Sequence, residues 1–192
     1  ISRGDWSSDV CSSDLNELLI DSQEKVGIDF FTKKMLNNEN FTFVKYGDGE
    51  ILCMIGGKGK NCDHHPYSEK LGKELEKSFV KLLKLYDDVY LAEWVDNLVK
   101  TRESYINVNG LKPKFADYEC FLTLEENLND KKLFNFLKLL KNSKRKKIFV
   151  GPKKLREATQ MLNIDHYVEV PIVNAFSDYE NVFDKIMRSE ER

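Results

Sequence analysis

Residues 41–50 read Phe41-Thr42-Phe43-Val44-Lys45-Tyr46-Gly47-Asp48-Gly49-Glu50. An apolar, β-branched and aromatic run stops at a glycine, and two carboxylates follow with one more glycine between them. Such a run reads as a buried strand. A strand ending this way delivers acidic side chains to the rim of an α/β sheet, where ligands bind. An acidic pair on that rim can hold a divalent cation against a phosphate, and hard carboxylate oxygens suit Mn2+ or Mg2+ rather than zinc. Gly47 and Gly49 permit positive φ and a close approach of backbone to ligand. Spacing alone is not distinctive, because Asp-x-Glu recurs at 117–119 and 178–180. Those two read as exposed or helix-capping acids, and only the first is expected to follow a strand.

The surrounding elements alternate between helical and strand-like periods. The spacing predicts a helix over 16–36, weakened at Gly27, then the first strand over 41–46 and a short helix over 51–55. A polar loop over 58–67 leads to a Leu-rich amphipathic helix over 69–86. A short buried strand over 88–92 ends at Glu93 and is followed by a helix over 95–105. Residues 115–124 fit either strand or helix. Helix 131–140, strand 147–150, helix 154–162, strand 167–170 and helix 179–187 complete the pattern. Alternation of this kind predicts a Rossmann-like, mostly parallel sheet with helices on both faces. It stops after a helix where a further strand is expected, so the sheet is expected to be truncated.

Residues 5–15 resemble one reading frame of a common sequencing-library adapter, and residues 188–192 resemble the same kind of adapter read from the other side. Residues 1–15 are therefore expected to be a non-native extension, 16–187 one incomplete domain, and 188–192 a tail. Lys and Arg number 30 and Asp and Glu 32. With Arg3, Arg188, Arg192, Asp5, Asp9, Asp14, Glu190 and Glu191 set aside, the charges balance. A balanced chain has no global field to draw it to nucleic acid. Cys53, Cys62 and Cys120 are widely spaced and form no Cys-x-x-Cys, which points to reduced thiols and a cytoplasmic setting, with peripheral membrane association left open. No apolar run reaches the ~20 residues that span a bilayer.

The ends of the other predicted strands add a coherent set. The 88–92 strand delivers Glu93 and Trp94. The 147–150 strand delivers Gly151, Lys153 and Lys154 into a helix start, where free N–H groups favour an anion. The 167–170 strand delivers Pro171 and Asn174. Carboxylates, lysines and a helix start on one rim suit a metal-bridged diphosphate. Cys62-Asp63-His64-His65 lacks metal-ligand spacing, since adjacent histidines in an extended chain point to opposite sides, and reads better as a loop closing over a ligand. The basic run 144–147 reads as a solvated helix end.

The segment Lys45-Tyr46-Gly47-Asp48-Gly49-Glu50, followed by a short apolar helix, a polar loop and a Leu-rich helix, resembles the GT-D type of glycosyltransferase. Val170-Pro171-Ile172-Val173-Asn174-Ala175-Phe176 is similar to a later segment of that family. The resemblance implies a GT-D-like fold and a metal-dependent transfer of sugar from a nucleotide-sugar donor, UDP-sugar being the expected one, to a glycan or glycoprotein acceptor in surface polysaccharide or glycoprotein synthesis. It assigns metal and donor diphosphate to Asp48 and Glu50. Lys45, Tyr46, Gly47, Gly49, Gly151, Lys153 and Asn174 would line the donor site. Two positions depart from the family: Lys45 stands where Arg is more usual, and Gly151-Pro152-Lys153-Lys154-Leu155-Arg156 replaces an acidic residue and a Ser-Arg-Gly type of loop. Lys neutralises a phosphate without the bidentate fork of Arg.

Chemically, cleaving a sugar–diphosphate bond builds negative charge on the leaving phosphate, which a cation on Asp48 and Glu50 would stabilise. An inverting transfer also needs a base near the acceptor hydroxyl, and Glu93 is the positional candidate. Its plainer reading is a solvated or salt-bridged acid. The competing functions are a noncatalytic nucleotide- or phosphosugar-binding domain and, ranked last, a metal-dependent phosphohydrolase, for which no nucleophilic Asp-x-Asp follows a strand.

Overall fold

The computed structural model describes residues 25–57, 68–93, 98–122, 130–172 and 175–190. Its helices are α1 Ile28–Leu36, α2 Asp48–Met54, α3 Glu69–Leu85, α4 Val99–Val108, α5 Lys132–Asn142, α6 Arg156–Leu162 and α7 Tyr179–Glu190. Its strands are β1 Thr42–Lys45, β2 Val89–Glu93, β3 Lys114–Asp117, β4 Ile148–Gly151 and β5 His166–Glu169. Every strand pair is parallel, as the strand–helix alternation predicts. Hydrogen bonding divides them into two ladders, a three-stranded sheet in the order β1-β2-β3 and a two-stranded sheet β4-β5. Among the described residues no helix is long and apolar enough to cross a membrane.

The three-stranded sheet is covered on both faces, which is why β2 reads as a continuous apolar run. The row Val44, Leu91, Phe115 faces a core of Tyr46, Ile51, Met54, Phe79, Ile106 and Leu111. The opposite face meets Ile28, Phe31, Cys120, Leu133 and Phe136 through Phe43, Tyr90 and Ala116. Phe31 is fully buried and makes ring contacts with Phe30, Phe41, Phe43, Tyr90 and Phe121 at centroid distances of 4.9–5.6 Å. Such clusters combine a large buried area with edge-to-face ring geometry. Of the ambiguous segment 115–124, residues 115–117 belong to β3, 118–122 form turns and 123–124 lie outside the described residues; Val26 bridges Ala116 on the far side of β3.

The second ladder joins the first through helices. α5 packs on both α1 and α6, and α7 packs on β5. The Arg145 side chain, just before β4, donates to the Asn38 side-chain oxygen at 2.9 Å and to the Asn38 and Glu39 carbonyls. The helix expected over 154–162 begins as a 3-10 turn, Lys153–Leu155, before α6 proper. Cavities of about 680 and 470 Å3 lie around Lys144–Lys147, at the amino ends of β4 and β1. They are at the opposite end of the strands from the acidic rim.

Candidate functional site

β1 ends at Lys45, and the chain turns at Gly47 directly into α2, so the helix starts three residues earlier than its apolar pattern suggests. Asp48 and Glu50 therefore occupy the first helical turn rather than a loop. Local chemistry explains the early start. The Glu50 carboxylate accepts from the Gly47 N–H at 2.9 Å, and the Asp48 carboxylate accepts from the Gly49 N–H at 2.9 Å. Acidic residues at a helix start satisfy donors that have no intrahelical partner. The helix stops at a left-handed Gly56, φ 80°, with Gly57 N–H reaching back to the Leu52 carbonyl and Gly56 N–H to that of Cys53. That is a Schellman end, and it explains Gly56-Gly57.

Neither Gly47 nor Gly49 adopts the left-handed backbone, and at Gly47 the missing side chain leaves space. Gly47 has φ −79°, and Gly49 is buried within α2. A Cβ at Gly47 would lie 3.3 Å from Glu50 Oε2 and 3.8 Å from the Tyr118 hydroxyl. This corrects the expectation that both glycines supply positive φ.

Asp48 and Glu50 are exposed to solvent at the carboxyl end of the sheet. Glu93 ends β2, and the register pairs it with Asp117, the last residue of β3. Glu93 is also held by Lys25, 2.7 Å away, so the proposed base forms an ion pair. Asp117 accepts from the Glu119 N–H at 2.9 Å, an Asx turn that closes β3. The Asp-x-Glu at 117–119 thus also follows a strand, against the sequence expectation. Asp178 directly precedes α7 and accepts from the Asn181 side chain at 3.1 and 3.2 Å, in keeping with a helix-start role.

Two of the expected donor-site residues are committed to the scaffold. Tyr46 is 8% exposed, stacks edge-on to Phe79 at 4.8 Å, and shares a 2.7 Å hydrogen bond with Ser78. Burial pushes its phenol above the ordinary value. Gly151 is the last, buried residue of β4, and its carbonyl accepts from the Tyr167 hydroxyl at 2.8 Å. Lys153 is exposed in the 3-10 turn that follows. Asn174, Trp94 and the 58–67 loop with Cys62, His64 and His65 lie outside the described residues.

Lys45 is placed differently from a simple rim cation. Its ammonium lies 4.1 Å from the centroid of the Tyr118 ring and 5.8 Å from that of Phe43. Burial lowers its pKa below the usual lysine value, while the charges of Cys120, Asp117 and Glu119 pull it back up. Tyr118 was missed in the sequence because β3 was ambiguous. Once Lys114–Asp117 is a strand, the residue after it must sit on the rim.

A cation fits this rim only in partnership. Among the described residues no three His, Cys, Asp or Glu side chains converge as a ready metal site. Two exposed carboxylates suit an ion that takes one or two protein oxygens and completes its shell with phosphates and water, as Mg2+ does.

The fold itself has solved counterparts. A structure described as domain of unknown function 1792 superposes with a TM-score of 0.52 at 16% identity, over 88% of this chain and 68% of the other. A structure described as a new glycosyltransferase of the same domain type, from Streptococcus sanguinis, superposes with a TM-score of 0.57 at 13% identity, over 87% of this chain and 70% of the other. The chain shares its α/β fold with the domain of unknown function 1792. No family model and no curated protein matches the sequence.

Proposed function

We propose that this protein is a glycosyltransferase of the GT-D type, moving a sugar from a nucleotide-sugar donor to a glycan or glycoprotein acceptor. The observation that carries the reading is the placement of two exposed carboxylates, Asp48 and Glu50, in the first turn after β1, at the carboxyl rim of a parallel sheet. The likeness in fold to a structure described as a glycosyltransferase supports it.

In this reading Asp48 and Glu50 hold Mn2+ or Mg2+ against the donor diphosphate, most simply that of a UDP-sugar. The cation would supply charge stabilisation for the departing phosphate oxygens. Lys45, with its ammonium over the Tyr118 ring, would contribute a positive charge on the same rim. Gly47 keeps the turn open to the ligand, where any side chain would crowd Glu50. Glu93 would accept the acceptor proton once Lys25 moves from it, since a base must reach the hydroxyl it deprotonates. Gly151, Lys153 and Asn174 would form the second wall of the donor pocket.

A second reading, a noncatalytic phosphosugar-binding domain, is favoured by one observation: the Glu93 carboxylate is already neutralised by Lys25. Product analysis separates the two. The protein is incubated with UDP-sugars, Mn2+ and oligosaccharide or glycopeptide acceptors, and free sugar, transferred sugar and inorganic phosphate are quantified. Transferred sugar, lost in Glu93→Gln, is the expected result. Donor binding with no turnover would favour the binding domain, and phosphate release without transfer a hydrolase.

A further inference from the structure

We infer that Tyr118 is a positioning residue, holding the Lys45 ammonium over its ring so that this charge faces the anionic ligand of the Gly47–Glu50 turn. The inference rests on the reading of that turn as a cation–diphosphate site.

The sheet register brings these residues into line. Lys45 on β1, Ala92 on β2 and Ala116 on β3 form one row across the sheet. Adjacent strands lie about 4.8 Å apart, so β1 and β3 are about 10 Å apart. Both intervening side chains are alanines, 1% and 0% exposed. Small residues in that row take up little space above the sheet, so a four-carbon lysine stem can reach across it. Tyr118, the first residue beyond β3, closes the far end with its ring 4.1 Å from the ammonium.

The same ring reaches the acidic turn. Its hydroxyl lies 3.8 Å from the position a Gly47 Cβ would take, beside Glu50 Oε2. Tyr118 therefore packs against the Lys45 ammonium and lies next to the turn that presents the carboxylates. Without the ring, a flexible lysine stem would sample many rotamers and spend little time facing the ligand. With it, the charge is preorganised, as an ion over an aromatic face is held electrostatically. An Arg at position 45 would approach a phosphate through its own fork. A Lys has no such directionality, and Tyr118 supplies it.

The test measures the affinity of the protein for UDP in the presence of Mn2+ by calorimetry, alongside thermal melting and the 13Cε shift of Lys45 in lysine-labelled protein. Tyr118→Leu is expected to weaken UDP binding about tenfold, within the range of a partly desolvated cation–π contact. Tyr118→Phe, which keeps the ring, is expected to restore affinity to within about twofold. Lys45→Met should weaken binding as much as Tyr118→Leu, and the double variant no further, with the melting temperature of each unchanged. Wild-type affinity in Tyr118→Leu, failure of Tyr118→Phe to restore it, or additive losses in the double variant would each overturn the inference. If the wild type does not bind UDP with Mn2+, the proposed function fails separately. The ring-current shift of Lys45 then decides the positioning: present in wild type and Tyr118→Phe it stands, absent in wild type it falls. That wild-type shift also serves if Tyr118→Leu does not fold.

Discussion

The two parallel ladders arise from the same strand–helix alternation but are buried to different depths. The first ladder is anchored by β2, in which Val89, Tyr90, Leu91 and Ala92 are all buried, between a half-buried β1 and a β3 that buries only Ala116; the second has no such strand, since β4 buries only Gly151 and β5 only Val168. Val150 is 43% exposed, and Met161 on α6 is 71% exposed. The acidic rim is built on the first ladder. The cation site proposed there would need its two carboxylates in fixed geometry, and hence supports locked by packing. The second ladder, where Gly151–Arg156 departs from the resembled family, is the less constrained half.

The contrast is easiest to break with core substitutions. Leu91→Ala, in the centre of β2 and fully buried, is expected to cost about 2–5 kcal/mol, and Val150→Ala under about 1 kcal/mol. Urea unfolding measures both, and equal costs would remove the distinction. Gly151 is the exception within the second ladder. A Cβ there would lie 2.5 Å from the Phe149 ring, which stacks on Tyr167 at 6.0 Å. Gly151→Ala should therefore cost about 1 kcal/mol, more than Val150→Ala, because the ring must leave its stack.

Cys120 sharpens the comparison through pH. Burial among apolar side chains pushes its thiol up to about 12. A free thiol titrates near 8.5. The folded state thus keeps the proton while the unfolded chain loses it, so this contribution to stability is fully present below about pH 8.5 and lost as pH rises to about 12. Stability measured against pH should fall faster in that window for the wild type than for Cys120→Ala. Alkylation at pH 8 should likewise leave Cys120 unmodified until the protein unfolds.

The smallest effect is expected at the Lys25–Glu93 pair. Lys25 is 38% exposed, and Lys25→Met should change stability by less than about 1 kcal/mol. A larger loss would mean that the segment bridging β3 depends on this ion pair rather than on the Val26 backbone bonds.

β2 was legible in the sequence because a strand covered on both faces writes an unbroken apolar run, and β1 because an aromatic and β-branched run stops at a glycine. β3 was not. Lys114-Phe115-Ala116-Asp117 is four residues long with exposed polar ends, and its strand state comes from β2 beside it rather than from its own pattern. With β3 ambiguous, Asp117, Tyr118 and Glu119 could not be placed on the rim. The early start of α2 was hidden for a different reason. Gly49 lowers local helix propensity, and the compensation is the Glu50-to-Gly47 bond, which only the folded turn displays. Lys25 escaped notice because its partner Glu93 is distant in sequence. The acidic pair itself was readable, as was the parallel α/β class.

The proposed function stands on Asp48 and Glu50 forming a cation-dependent diphosphate site. The most direct measurement is the affinity of the protein for UDP with and without Mn2+, in wild type, Asp48→Asn and Glu50→Gln. The account predicts that Mn2+ strengthens UDP binding at least about tenfold in wild type and that either variant loses this gain. It also predicts that Asp48→Asn melts within a few degrees of wild type. UDP affinity that is independent of Mn2+, or unchanged in both variants, would contradict it.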